Sequence, residues 1–143
     1  MNKISLTGLT FLVLSGLILS ACTSQQTSGE LAGTTWKLIS YGPSGNQSAA
    51  AVGIETKLDF GTDGTVSGNL GCNSFSGNYE VKNGKLIFSQ MISTLMACQE
   101  PQMAQEITAL QVMTGTVSFQ LSDNILTLFD TSGANAIHFS NGK

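Results

Sequence analysis

Cys22, Cys72, Cys98 and His138 are the residues whose types could carry nucleophilic or redox chemistry. A thiol nucleophile needs a lowered pKa and a base within reach. His138 is the only histidine in the chain. It sits between Ile137 and Phe139 in an alternating stretch, so it points to the face opposite theirs. A β-fold can bring such a residue beside Cys72, which makes a Cys–His pair one reading. A Cys72–Cys98 disulfide is a second, and two inert thiols are a third. Glu55, Asp59 and Asp63 offer carboxylates for acid–base work, or simply a solvated strand face. Met91, Met96, Met103 and Met113 could hold Cu(I) through thioethers, but their spacing repeats no motif and methionine also fills cores. The glycines from Gly61 to Gly77 are followed by no Gly-Lys-Ser/Thr and open no helix, so they are not a phosphate loop. No cofactor is implied.

Which cysteine chemistry applies depends on the compartment. Met1-Asn2-Lys3 gives a short positive start, and Ile4 to Leu17 is apolar apart from Ser, Thr and Gly. The run reaches Leu19-Ser20-Ala21-Cys22. This resembles a bacterial lipoprotein signal with its lipobox. The resemblance implies removal of residues 1–21 and a diacylglyceryl group on Cys22. Two or more acyl chains on one residue anchor a protein stably. Thr23 rather than Asp follows, which favours the outer membrane, facing the periplasm. Thr23 to Glu30 reads TSQQTSGE, without one apolar residue, so residues 22–30 are expected to be a flexible tether and 31–143 the folded domain.

Composition narrows the partners. Of 143 residues, 10% are charged, against about a quarter in ordinary domains. The six basic residues are all lysine. Without Arg there is no bidentate phosphate grip, and nucleic acid is excluded as a partner. Cutting after Ala21 removes Lys3 and leaves five lysines against nine acids, a net charge of −4. A secreted address also permits a disulfide. Closing the Cys72–Cys98 loop is worth about 3.5 kcal/mol in the chain-entropy model.

The elements that must position these residues are mostly strands. Thr34 to Tyr41 alternates around Trp36 and Leu38. Gly42 to Gly53 is a loop. Ile54 to Phe60 is the next strand, with Ile54, Leu58 and Phe60 inward. Gly61-Thr62-Asp63-Gly64 turns into Thr65 to Leu70. Asn83-Gly84 joins Asn78–Lys82 to Lys85–Ser89, as expected where both turn residues need positive φ. Ile92 to Ala97 is a short strand or an extended segment. The one helix signal follows. Pro101 suits a first turn, Glu100 faces the positive end of the dipole, and Met103, Ile107 and Leu110 form an apolar face ended by Gly115. Thr116–Leu121, Ile125–Phe129 and Ala136–Ser140 complete about eight strands, turned by Asp123-Asn124 and Ser132-Gly133.

Four segments in order carry a family resemblance. Gly71-Cys72-Asn73-Ser74-Phe75-Ser76-Gly77-Asn78-Tyr79 resembles the "GCNxFxGxY" signature of the META, or HslJ-like, domain. Leu31 to Leu38 resembles its opening "L-x-G-T-x-W-x-L", Thr94 to Cys98 its "T-x-M-A-C", and Asn124 to Leu128 its late "L-T-L" strand. The resemblance implies a small α+β domain: a curled, barrel-like, mainly antiparallel sheet with one helix packed across it. It implies an envelope protein, often a lipoprotein, linked in some members to heat or envelope stress, and no catalytic residue. Cys72 and Cys98 match the family's two cysteines, which supports their pairing. For Asn73 to Gly77 a structural turn is expected: Asn73 and Ser74 bonding their own backbone, Gly77 at unusual φ, Phe75 in the core. The competing role is a ligand-binding edge at Asn73 and Ser74. The function expected is a non-enzymatic, membrane-anchored lipoprotein serving an envelope protein partner. The alternatives are a carrier holding a small hydrophobic ligand between sheet and helix, and a thiol enzyme.

Overall fold

Residues 28–141 are described in the computed structural model of the chain. The signal segment, Cys22 and most of the tether fall outside the described residues. The tether was expected to run to residue 30, but Ser28–Glu30 already form a 3₁₀ turn, and Leu31 behind it is fully buried.

Among the described residues nine strands follow: β1 (Thr34–Pro43), β2 (Ser48–Ala49), β3 (Lys57–Phe60), β4 (Thr65–Asn69), β5 (Ser74–Lys82), β6 (Lys85–Ser93), β7 (Thr116–Ser122), β8 (Ile125–Phe129) and β9 (Asn135–Asn141). One helix, α1 (Gln102–Val112), lies between β6 and β7. Every pairing is antiparallel, and β1 also pairs with β9, so eight strands close into a barrel and β2 adds to β1 on its β3 side, beyond the end of β3. Closure removes the two end edges that a flat sheet would expose, leaving only strand ends that run past their neighbours.

The period-two pattern builds the core. Trp36 and Leu38, Leu58 and Phe60, Val66, Phe75 and Tyr79, Leu86 and Phe88, Val117 and Phe119, Leu126 and Leu128, and Ile137 and Phe139 all point inward and are buried. Phe60 meets Tyr79 edge to face at 4.8 Å, and the Tyr79 hydroxyl donates to Gly61 O at 2.8 Å. Close strand approach needs Gly68, where a Cβ would lie 1.9 Å from Lys57 O.

The second strand is shorter than expected, beginning at Lys57 rather than Ile54. Thr56 is buried and its Oγ1 accepts the Leu38 amide at 3.0 Å, so a side chain takes the place of the ladder there. Ile54 is only half-buried. The pair around Asn83-Gly84 is longer than expected at both outer ends: β5 starts at Ser74 and β6 runs to Ser93. A bulge between Ser76 and Asn78, opposite Gln90 at φ +52°, hides that continuation from a strict alternation.

The helix starts just after Pro101, and the Glu100 carboxylate accepts the Ala104 amide at 3.0 Å. Its buried face differs from the expected one. Gln105, Glu106, Ala109 and Val112 are buried, with Met113 just beyond, while Ile107 is half exposed. The helix spans an opening in the barrel, where backbone groups need partners, and two polar side chains supply them.

Candidate functional site

The segment after β4 is where the signature residues gather. Gly71 passes so close to α1 that a Cβ would come within 2.4 Å of Gln102 O. This brings the Cys72 and Asn73 amides onto the Glu106 carboxylate. Glu106 Oε2 accepts the Cys72 amide at 2.7 Å and also the Asn73 amide, and Oε1 accepts Asn73 Nδ2 at 2.7 Å. Gln105, beside it, donates to Leu70 O at 2.6 Å and accepts the Ala51 amide at 2.7 Å. The helix therefore replaces a strand partner for residues 70–73.

Asn73 is the hub. It is 5% exposed. Its Nδ2 also donates to Met96 O at 3.2 Å, and its Oδ1 accepts both Thr94 Oγ1 at 2.8 Å and the Met96 amide at 2.7 Å. Two side-chain amide protons and two oxygen lone pairs are thus engaged, leaving no side-chain polar atom of Asn73 for a ligand. The bonds run to Glu106, Thr94 and Met96 rather than to a local turn, which corrects the turn expectation. Ser74 is exposed and starts β5. Gly77 is not at positive φ; it lies in the bulge, where a Cβ would come within 2.9 Å of Ser89 O.

Cys72 and Cys98 form a disulfide, with Cα atoms 5.9 Å apart. It ties the segment before α1 to the segment after β4. His138 lies on β9 with its Nδ1 2.9 Å from Thr127 Oγ1, and burial lowers its pKa. With the Cys72 sulfur bonded to Cys98 and His138 engaged by Thr127, the structure does not assemble a Cys–His nucleophile from them.

The carboxylates named from sequence are dispersed among local donors. Asp59 binds Lys57 Nζ at 2.8 Å and Thr35 Oγ1 at 2.6 Å. Asp63 binds the Thr65 hydroxyl and amide, and those bonds lower its pKa. Glu55 is exposed. The methionines also separate: Met113 is in the core, Met91 packs against it, and Met96 is 56% exposed. Sequence reasoning passed over Asp130, whose carboxylate organises the β8–β9 turn. It accepts from Ser132, Ala134 and Asn135, and the Asn135 and Ser132 side chains lower its pKa to about 2.

Between the sheet and the end of α1, the region where the carrier reading put a cavity, lies an apolar groove. β6 pairs with β7 only over Lys85–Ile87, and the Phe88 amide donates to Gly115 O at 2.8 Å. Beyond that point β6 has β5 on one side and the end of α1 on the other. The gap holds about 380 Å³. Phe75, Phe88, Met91, Ile92, Leu110 and Met113 wall it, and Ser89, Gln90, Ser93 and Thr114 edge it. None of its lining residues is charged. The volume falls in the range of small-ligand sites, and apolar walls with a few polar groups are their usual lining.

A closed antiparallel barrel with one helix across its opening, stapled by a disulfide, defines the class of protein. Residues 29–142 match the family model of the META domain, and the chain belongs to that family. Among solved structures it is similar to a protein from Burkholderia xenovorans determined by NMR, 25% identical, with a TM-score of 0.67 over 80% of this chain and 86% of that one. A second NMR structure is 24% identical, with a TM-score of 0.65 over 81% and 95% of the two chains. A crystal structure of a duf4847 family protein from Bacteroides vulgatus ATCC 8482 shares the fold at 12% identity, with a TM-score of 0.55 over 79% and 95%. A search of curated proteins gives no match.

Proposed function

We propose that this chain is a lipid-anchored protein of the bacterial cell envelope, held through Cys22 to the periplasmic face of the outer membrane. Its META domain serves a non-enzymatic binding role in envelope maintenance or stress. The observation that carries this reading is the Cys72–Cys98 disulfide in a chain that opens with a lipobox. An oxidising compartment allows the first, and the second supplies the address. The binding role is supported by the groove beside α1 and by the engagement of the cysteines, Asn73 and Glu106 in internal bonds.

The intact mass of protein extracted from membranes, alkylated before and after reduction, tests it. The expected result is diacylglyceryl on Cys22 and no alkylation of Cys72 or Cys98 until reduction. A soluble protein that keeps residues 1–21, or a Cys72 that alkylates without reduction, would overturn it.

The same groove supports a second reading, a carrier for a small hydrophobic ligand between sheet and helix. Native mass spectrometry that shows co-purifying lipid, lost when Leu110→Lys puts a charge in the wall, would favour it. Protein free of any adduct would count against it.

A further inference from the structure

We infer that the outer edge of β6, from Ser89 to Ser93, is a docking edge for an extended, uncharged peptide segment of another protein, which adds to the sheet as a strand. The inference rests on the binding role proposed above and names the partner's chemistry, but it does not depend on the membrane anchor.

Two strands of the barrel run past their neighbours. β1 pairs with β3 only over Thr34–Trp36. Farther along, Ser40 and Tyr41 are covered on that side by the short strand β2, which the chain supplies from its own loop. β6 runs past β7 in the same way, beyond Ile87, and no strand covers that side among the described residues. The protein thus completes one overhang with a two-residue strand and leaves the other open.

The open overhang has the form of a strand site. The Thr94 amide donates to Ser74 O at 3.0 Å, across to β5. By the alternation of an antiparallel ladder, the N–H and C=O of Ser93 turn away from β5 toward the gap, as does the C=O of Met91, which precedes the paired Ile92. Backbone groups there give affinity to any extended chain, and an adjoining pocket reads its alternate side chains. The groove of about 380 Å³ adjoins this edge, with Phe88, Met91 and Leu110 in its wall. A second depression of similar volume lies at the same strand ends and shares Phe75, Ile92 and Ser93 with it. The approach is apolar as well: Ile92 is 69% exposed and Leu95 98%. With no charge in either lining, a charged segment would lose its hydration with nothing in return. The occupant that matches both the backbone edge and the uncharged walls is an extended peptide with alternating apolar side chains.

The test uses the full chain and a capped hexapeptide alternating threonine and valine. Its twin carries N-methyl groups at alternate residues, and decanoate serves as a purely apolar competitor. Hydrogen exchange read by NMR is expected to show the Ser93 amide slowed roughly tenfold or more by the peptide, and unchanged by the methylated twin. Ser93→Pro, which removes the outward N–H and leaves the core face alone, is expected to weaken peptide binding roughly tenfold or more, while Ser93→Thr keeps it. If Ser93→Pro does not fold, the methylated twin decides. Peptide binding that survives both blocks would overturn the inference. So would occupancy by decanoate without occupancy by peptide, protection that instead grows with protein concentration and marks a second copy on the edge, or no protection with either probe. Loss of lipid from Cys22 would leave these outcomes unchanged, so failure of the anchor and failure of the edge are separable.

Discussion

Glu106→Ala should be among the most damaging single changes in this domain, though nothing about it looks like an active site. Glu106 is 4% exposed and accepts three hydrogen bonds from two buried residues, Cys72 and Asn73. Truncation leaves two backbone N–H groups and one of the two Asn73 side-chain N–H groups without an acceptor. Each orphaned buried donor costs about 1–3 kcal/mol. Removing a buried carboxylate returns some desolvation energy, and water entering at the Cys72 side can satisfy one donor. A net loss of about 3–5 kcal/mol remains, the range seen when one member of a buried charged network is removed. Glu106→Gln separates acceptor chemistry from shape. Its remaining oxygen can keep the two backbone amides, but its NH₂ then faces Asn73 Nδ2, donor against donor. Asn73 cannot flip to relieve this, because its oxygen already accepts from Thr94 and Met96. The Gln variant should fall between wild type and Ala, at about 1–3 kcal/mol. Urea unfolding followed by Trp36 fluorescence, with the disulfide intact, measures both. A Gln variant as stable as wild type, or an Ala variant within about 1 kcal/mol of it, would refute the acceptor-only argument.

Three further outcomes follow from local geometry. Gly68→Ala puts a methyl 1.9 Å from Lys57 O, a backbone atom, and should cost about 3 kcal/mol or more in urea unfolding by forcing β3 and β4 apart. The Asp130 carboxyl should titrate near pH 2 by NMR, and Asn135→Ala, removing the largest cause, should move that midpoint up toward the ordinary carboxylate range. The folded pKa is the lower one, so the contribution of Asp130 to stability is present above the ordinary value and is lost as the pH falls through about 2. Burial holds His138 below the ordinary histidine value, so the unfolded chain takes up its proton first and stability falls as the pH drops through that ordinary value; thermal unfolding should show this slope in wild type and a flatter one in His138→Asn.

The hairpins were legible because their chemistry is local. Gly64 at φ +82°, the Asn83-Gly84 pair at +52° and +69°, Asp123 at +51° and Gly133 at +74° stand where turn residues were expected. Each demands a left-handed backbone that few residues adopt cheaply, and the flanking alternation sets the strands. The late strands β7, β8 and β9 fall within a residue or two of their expected bounds for the same reason. Barrel closure by β1 and β9 is a long-range pairing with no local signal, and its curled form was expected from the family resemblance alone.

What stayed hidden is the part of the molecule where period and burial disagree. A helix that covers an opening serves the backbone beneath it. Its buried face therefore carries Gln105 and Glu106 beside Ala109 and Val112, and an apolar count at helical spacing selects Met103 and Ile107 instead. One signal was available. Glu106 is the only charged residue in Gln102–Val112, so a helix with a single charge had no evident solvated face to assign it to. The signature around Cys72 was read correctly as special and wrongly as local. Asn73 reaches Glu106 across more than thirty residues and so reports tertiary packing. A cavity between sheet and helix was expected as one alternative, but the residues that form the groove were concealed for a related reason. The bulge at Gly77 and Gln90 breaks the alternation that would have extended β6 to Ser93, and without that extension no overhang is visible. The overhang itself comes from β7, which pairs with β6 only over Lys85–Ile87, so the bulge hides the edge from the sequence pattern without creating it.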